Sequence, residues 1–222
     1  MTIVAEVQLT ASAKTRMNLS FNHLASATIL AREARAIEHR HAGQPLGEHW
    51  EVLLANATGA VMMSVAALEG YIAQVQADGD EHFPTVSSPL RDATFALIER
   101  ASTLEKAAHL SLLNGRSPLD LGRAPGQDVV ALIRLRNALV HFQPEWFGEQ
   151  RAHAKLSQQL QHCFEPSEWF PNEPIFPRAW ASYACCKWAI DSARDFIVEL
   201  ATVNGWTCGF NDPKHAARFE CQ

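Results

Sequence analysis

The side chains best suited to chemistry lie together in one segment, DVVALIRLRNALVHF at 128–142. Histidine accepts and releases a proton near neutral pH, and an arginine guanidinium binds and stabilises oxyanions. On a helix, where successive residues are rotated by about 100°, Arg134, Asn137 and His141 fall within about 60° of one another. The segment therefore predicts a small basic face that ends in a histidine.

Arg136 belongs to a different side of the same predicted helix. Five apolar residues form a stripe along it: Val129, Leu132, Ile133, Leu139 and Val140. Arg136 falls near the middle of this stripe, where a buried guanidinium needs a partner because an unpaired buried charge is costly. Glu69 is the ion-pair partner that the sequence favours, followed by Glu99 or Glu105. A structural ion pair and a role in chemistry are both compatible with this arginine.

Helical patterns occupy most of the remaining chain, because apolar residues recur at steps of three and four. Glycine, proline and asparagine separate these segments. The predicted helices cover 18–41, 48–77, 90–113, 128–142, 145–164 and 179–202. The sequence therefore predicts an all-α protein.

The organisation along the chain is that of one domain with extensions. A chain of 222 residues is short for two full domains. Residues 1–17 alternate loosely, which fits a short strand as well as a flexible leader. Residues 18–203 are predicted to form a single helical domain with a C-terminal helical extension, and residues 204–222 a loose tail.

Composition narrows the class of protein. A net charge of −5 argues against a surface coated with basic residues for duplex DNA. The five cysteines include no C-x-x-C pair, so reduced thiols are expected, without a disulfide framework or a zinc site. The sequence has neither an unbroken run of about 18 apolar residues nor a recognisable signal peptide. A cytoplasmic protein that does not enter a membrane is expected.

The segment 136–141 fits the pattern R-N-x-x-x-H, and its surroundings, LIRLRNALVHFQP, together with the upstream helix MSVAALEGYIAQV, resemble HEPN domains. The resemblance covers roughly residues 46–142, about half of the chain. It implies an antiparallel up-and-down helical bundle, here with additional C-terminal helices. It also implies a bacterial homodimer in which the motif helices of two protomers build a composite cleft.

The activity that this resemblance implies is metal-independent cleavage of single-stranded RNA through attack by the ribose 2′-hydroxyl, without a cofactor. His141 would be the general acid/base, Arg136 would bind the scissile phosphate, and Asn137 would orient the phosphate or the histidine. Arg134 is a further substrate-binding candidate, as are the loop residues Arg116 and Arg123. The protein would then be a toxin with a separate antitoxin protein, or a defence effector.

Helical geometry leaves the site open, because Arg136 and His141 point about 140° apart on one ideal helix. They share a site only if the Arg136 side chain extends around the helix, if the helix unwinds before Pro144, or if each residue faces a different protomer. Two other functions stay open. One is a non-catalytic HEPN-like dimer that binds a nucleotide, RNA or a partner protein, and the other is a structural helical module for oligomerisation.

Overall fold

The computed structural model describes residues 18–144, 146, 153–216 and 218–221. Over this part of the chain the structure is 67% helix without strands, which confirms the all-α prediction. The predicted strand or leader at 1–17 lies outside the described residues. The helices are α1 (Ser20–His41), α2 (His49–Ala77), α3 (Gly79–His82), α4 (Ser88–Leu97), α5 (Thr103–Leu113), α6 (Gly126–Val140), α7 (Ala154–Leu160), α8 (Tyr183–Asn204) and α9 (Pro213–Ala216), with a π-helical turn at Ile175–Ala179 and a 3-10 turn at Gly209–Asn211.

The pairing of α1 with α2 is the most extensive helix contact in the fold. A Cβ added at Gly59 would lie 2.8 Å from Leu30 Cδ1, and one added at Gly70 would lie 3.3 Å from Ser20 Cα. Residues late in α2 therefore face residues early in α1, so the two helices run antiparallel. Glycine at these positions permits a closer backbone approach than a larger residue would.

The third member of the core is α8, which packs against both α1 and α2. Near its N-terminus, the Tyr183 backbone N–H donates to Glu38 Oε1 at 2.9 Å, close to the end of α1. Beyond its C-terminus, Trp206 Nε1 donates to the carbonyl oxygen of His82 at 3.2 Å, just past the end of α2. The helix therefore runs antiparallel to α1 and alongside α2 in the same direction, and α6 packs against α2 and α8.

The central position of α2 explains its unusual composition. By length and composition alone, this helix of 29 residues is apolar enough to cross a membrane, although the sequence has no unbroken run of that length. Its buried residues, which include Leu53, Val61, Leu68 and Ile72, belong to the hydrophobic core of the bundle. A helix that packs against α1, α5, α6 and α8 needs apolar residues around most of its circumference.

The single helix predicted over 90–113 is wrong, because the structure has two helices there, α4 and α5. Ser102 is the N-cap of α5, and its Oγ accepts a hydrogen bond from the Glu105 backbone N–H. The Glu105 carboxylate in turn accepts from the Ser102 backbone N–H at 2.8 Å. In this reciprocal capping box, the two side chains pair with the backbone N–H groups of Glu105 and Ser102. A continuous helix would pair those groups with backbone carbonyls instead, so the helix is interrupted before Ser102.

The C-terminal third also departs from the predicted boundaries. Of the helix predicted over 145–164, the described residues contain α7, which is seven residues long. The last long helix begins at Tyr183 rather than at residue 179, because the Ser182 side chain caps it by accepting from the Cys185 N–H. The described residues after Asn204 are packed rather than loose, since Phe210 and Phe219 are buried and contact the ring of Phe21 in α1.

The capping box generates a stability prediction with a matched control. Ser102→Ala removes a side-chain cap and should lower the free energy of unfolding by about 1 kcal/mol. Ser87, the N-cap of α4, makes no side-chain capping hydrogen bond, so Ser87→Ala should change it much less. Urea unfolding of both variants measures the difference. Equal losses would show that the capping box does not define the start of α5.

The Glu38 carboxyl at the start of α8 generates a prediction about pH. Burial raises the pKa of Glu38 above its usual value of 4.5, while the hydrogen bond from the Tyr183 backbone opposes the shift. The folded state therefore holds this proton more tightly than the unfolded state, and the contribution of Glu38 to stability falls as pH rises through the unfolded pKa towards the higher folded one.

The isosteric variant Glu38→Gln keeps an oxygen that can accept from Tyr183 but cannot ionise. The free energy of unfolding of the wild type minus that of Glu38→Gln should decrease between about pH 4 and about pH 7. Urea unfolding across this range checks the sign, with the exposed α1 residue Glu33 changed to Gln as the control. A difference that rises with pH would mean that the hydrogen bond, rather than burial, dominates the pKa of Glu38.

Candidate functional site

A tight turn sets the position of the motif helix α6. Gly126 begins α6 where the backbone passes so close to Asp120 that a Cβ would overlap the Asp120 carbonyl oxygen. The same aspartate accepts a hydrogen bond from the Gly122 N–H at 2.8 Å, and its carboxylate lies 3.7 Å from the Arg123 guanidinium. The loop between α5 and α6 is therefore folded back on itself, and glycine is needed where the helix starts.

The buried side of α6 is rotated relative to the stripe expected from the sequence. Its buried apolar residues are Val129, Ala131, Leu132 and Leu135, whereas Val140 is 52% exposed. The prediction that Arg136 lies near the middle of the core-facing stripe is therefore wrong, because this residue lies at the edge of the buried side of α6. The reason is that α2 and α8 cover the side centred on Leu132 and Leu135.

Arg136 is held by Glu69, which lies on the flank of α2. Its Nη2 donates to Glu69 Oε1, and the two side chains are 25% and 45% exposed, respectively. Thr103 Oγ1, at the start of α5, donates a second, longer hydrogen bond of 3.5 Å to the same oxygen. The ion pair is only partly buried, so the cost of removing its charges from water is moderate. It ties α6 to α2 at the level of the motif.

The arginine is not saturated by this contact. Its Nε is buried without a hydrogen-bond partner, and among the described residues Nη1 has none either. Nη1 therefore retains its two N–H groups for an oxyanion, whereas the buried Nε is not accessible to a ligand from solution.

The helix ends immediately before the histidine of the motif. Val140 is the last residue of α6, and His141 has φ −113° and ψ 39°, outside the helical range. Its backbone N–H still donates to the Asn137 carbonyl oxygen at 2.9 Å. The helix therefore ends before Pro144, which is one of the three arrangements that would allow His141 and Arg136 to share a site.

The exposed polar side of α6 carries the remaining predicted residues. Arg134, Asn137 and His141 are all exposed. Arg134 Nη1 donates to Gln159 Oε1 of α7 at 2.7 Å. Asn137 and His141 make no side-chain hydrogen bond to any described residue, so their polar atoms face solvent. Such a surface is open to a ligand from solution.

The two loop arginines do not interact with the residues of this surface. Arg116 and Arg123 are exposed on the segment between α5 and α6. Arg123 is paired with Asp120, and neither arginine contacts Arg136 or His141 through any interaction among the described residues. Their proposed contact with a substrate would depend on where a long ligand runs, since the fold does not bring them to the motif.

Two residues near the motif gave no signal in the sequence. His153 stacks on Phe142, with the rings 5.5 Å apart and nearly parallel, and its Nε2 lies 3.0 Å from the Gln143 carbonyl oxygen. It supports the chain just after His141. Lys106 lines a cavity of about 340 Å³ between α2 and α5 that also includes Glu69. Both are long-range placements, which local periodicity cannot reveal.

Thiols and metal-binding groups offer no competing site among the described residues. All five cysteines are free, and burial raises the pKa of each thiol, in the case of Cys163 to about 11. They are therefore neutral thiols near neutral pH rather than activated nucleophiles. The described residues also contain no group of three His, Cys, Asp or Glu side chains that could hold a metal ion.

The Arg136–Glu69 contact can be measured with a double-mutant cycle. Arg136→Ala and Glu69→Ala, singly and together, should give a coupling free energy of about 0.5–1 kcal/mol, since the pair is partly exposed. The exposed pair Arg123 and Asp120, 3.7 Å apart, serves as the control and should give a value near zero. Urea unfolding supplies the free energies. A coupling indistinguishable from the control would show that the contact does not hold α6.

Comparison with known proteins adds no family assignment: no protein family model matches the chain, and neither the curated proteins nor the solved structures contain a match.

Proposed function

We propose that this protein is a HEPN-like, metal-independent endoribonuclease that cleaves single-stranded RNA as a homodimer. The observation that carries the proposal is the exposed end of α6, where Asn137 and His141 present unpaired polar side chains to solvent. Arg136, five residues before His141, has an Nη1 that makes no hydrogen bond to a described residue, while Glu69 holds its Nη2. An oxyanion-binding group in the last two turns of α6 is therefore followed, directly after the helix, by a proton-transfer group.

The chemistry needs little beyond these groups. His141 accepts the proton of a ribose 2′-hydroxyl, whose oxygen then attacks the adjacent phosphorus. The bond between phosphorus and the 5′-oxygen then breaks. A protonated histidine donates a proton to that oxygen, which leaves as a hydroxyl group. The products are a 2′,3′-cyclic phosphate and a 5′-hydroxyl. Histidine serves both proton transfers near neutral pH, and Arg136 stabilises the additional negative charge in the transition state.

A homodimer is proposed on the basis of the apolar surface beside the motif. Val140 is 52% exposed, Phe142 45% and Trp146 83%, and these residues flank His141 along the chain. Exposed large apolar side chains next to polar ones are typical of protein interfaces. A two-fold contact here would place a second Arg136 and a second His141 in one cleft. Each protomer would then contribute to the proton transfers and the phosphate contacts.

A second candidate is a non-catalytic HEPN-like dimer that binds a nucleotide, RNA or a partner protein. The observation in its favour is the Glu69 carboxylate, which already compensates the charge of Arg136 within one protomer. A guanidinium engaged in this way is a weaker stabiliser of a transition state than one that is free. Under either candidate, a biological role as a toxin with a separate antitoxin, or as a defence effector, remains a proposal based on the resemblance to HEPN domains.

Cleavage of single-stranded RNA in the presence of EDTA tests the primary proposal. The wild-type protein should produce fragments that end in a 2′,3′-cyclic phosphate, detected by mass spectrometry. His141→Ala should lower the cleavage rate by about 100-fold or more, the usual contribution of a general acid/base. His109→Ala is the matched control, because His109 is exposed on α5 and has no part in the proposed site.

Three outcomes separate the candidates. Cleavage that survives His141→Ala at the rate of the control would remove the histidine from the mechanism. RNA binding without cleavage by the wild-type protein would favour the non-catalytic dimer, particularly if His141→Ala changed only the affinity. A monomer by sedimentation, with full activity, would contradict the composite cleft.

A further inference from the structure

A cavity lies between the C-terminal end of α1 and the N-terminal end of α8. We call it the α1–α8 cavity; its volume is about 560 Å³, and its lining includes Arg35, Glu38, Glu165, Glu168, Trp169 and Tyr183. This volume is within the range of small-molecule sites. None of these residues belongs to the motif on α6, so the cavity is independent of the proposed ribonuclease site.

The charges of the lining favour a cation. The lining contains three glutamates and one arginine, so the cavity carries an excess of negative charge. Arg35 is already engaged, because its guanidinium carbon lies 5.4 Å from the centre of the Tyr183 ring. That contact has the geometry of a cation–π interaction, which shows that an aromatic face in this cavity accepts a cation.

The N-terminus of α8 would normally attract an anion, but two of its first three backbone donors are occupied here. Glu38 Oε1 accepts from the Tyr183 N–H at 2.9 Å, and the Ser182 Oγ accepts from the Cys185 N–H at 3.1 Å. An incoming phosphate or carboxylate would meet Glu38 at that position rather than free N–H groups. The field of the helix therefore stabilises a carboxylate of this chain and does not create an anion site.

Glu38 itself retains an oxygen for a ligand. Among the described residues Oε2 makes no hydrogen bond, and the charge of Glu168 adds to the effect of burial in raising the pKa of the Glu38 carboxyl. An ammonium group beside Oε2 would offset both the lost hydration and the repulsion from Glu168.

The aromatic walls offer ring surfaces rather than polar atoms. Trp169 Nε1 donates to the Gln44 carbonyl oxygen at 3.1 Å, and the Tyr183 hydroxyl donates to the Cys221 carbonyl oxygen. With their polar ends engaged, these rings can contact the methylene groups or the charge of an organic cation. A bare metal ion would gain nothing from them.

We infer that the α1–α8 cavity binds an aliphatic diamine or polyamine, with ammonium groups at the glutamates and the methylene chain against Trp169. An amine with more than one charge fits because three carboxylates, one on α1 and two on the loop before α8, line the same cavity.

Isothermal titration calorimetry of the full chain with spermidine tests this inference. The wild-type protein should bind one spermidine, and the double variant Glu165→Gln/Glu168→Gln should bind it at least about tenfold more weakly. Both side chains are exposed, and the Glu165 contact to Ser182 uses the backbone oxygen, so the variant should fold normally. The control, Asp92→Asn/Glu99→Gln, makes the same change of net charge on exposed residues of the α4 region and should bind like the wild type.

Four results would overturn the inference. The first is the absence of spermidine binding to the wild-type protein. The second is an equal loss of affinity in the control variant, which would indicate general attraction to an acidic protein. The third is binding of glutarate, an aliphatic dicarboxylate, in place of spermidine. The fourth is binding of Mg²⁺ with the same dependence on Glu165 and Glu168, which would indicate a simple acidic cluster.

Discussion

The close packing of α1 on α2 is the constraint on which the rest of the structure depends. Alanines on both helices are completely buried along this contact, among them Ala27, Ala31, Ala57 and Ala60. Because small side chains allow the two backbones to approach closely, α2 keeps its other sides free for α8 and α6. The long helix α2 is thereby the surface against which the motif helix α6 packs.

The same arrangement determines how Arg136 is held. Glu69 lies on the flank of α2 and not in its contact with α1, so its carboxylate reaches the edge of α6. At that edge the Arg136 side chain is 25% exposed, which lowers the cost of desolvation compared with a fully buried pair. It also leaves donors free for another oxyanion. At the edge of α6, Arg136 can therefore anchor the helix to Glu69 and still contact a ligand, whereas a fully buried arginine could not contact one.

The sequence predicted the parts of the fold that local patterns determine. The bounds of α1 and α2 agree with the periodicity of their apolar residues and with the glycines that follow. The break before α5 was missed because the apolar spacing continues across it, although Ser102 and Glu105 carry the signature of a capping box. That signal was present in the sequence and outweighed the periodicity.

The candidate site shows a different limit of prediction. The polar side of α6 followed from helical spacing alone, since the three exposed residues share one side. The orientation of the buried side did not, because Ala131 and Leu135 are buried only through the positions of α2 and α8. His153 and Lys106 approach the motif helix or its partner from distant parts of the chain. Such contacts depend on tertiary structure and leave no local pattern.

The overall acidity of the chain constrains how the proposed site meets RNA. The chain has 24 acidic residues and 19 basic ones, and Glu69 neutralises part of the charge of Arg136. One protomer thus presents little positive charge to a phosphate backbone, whose binding depends on the number of cations in reach. In the proposed dimer, each cleft would gain the partner's copies of Arg134 and Arg136. Assembly would then concentrate the positive charge at the reaction site while the remaining surface stays acidic and repels RNA elsewhere.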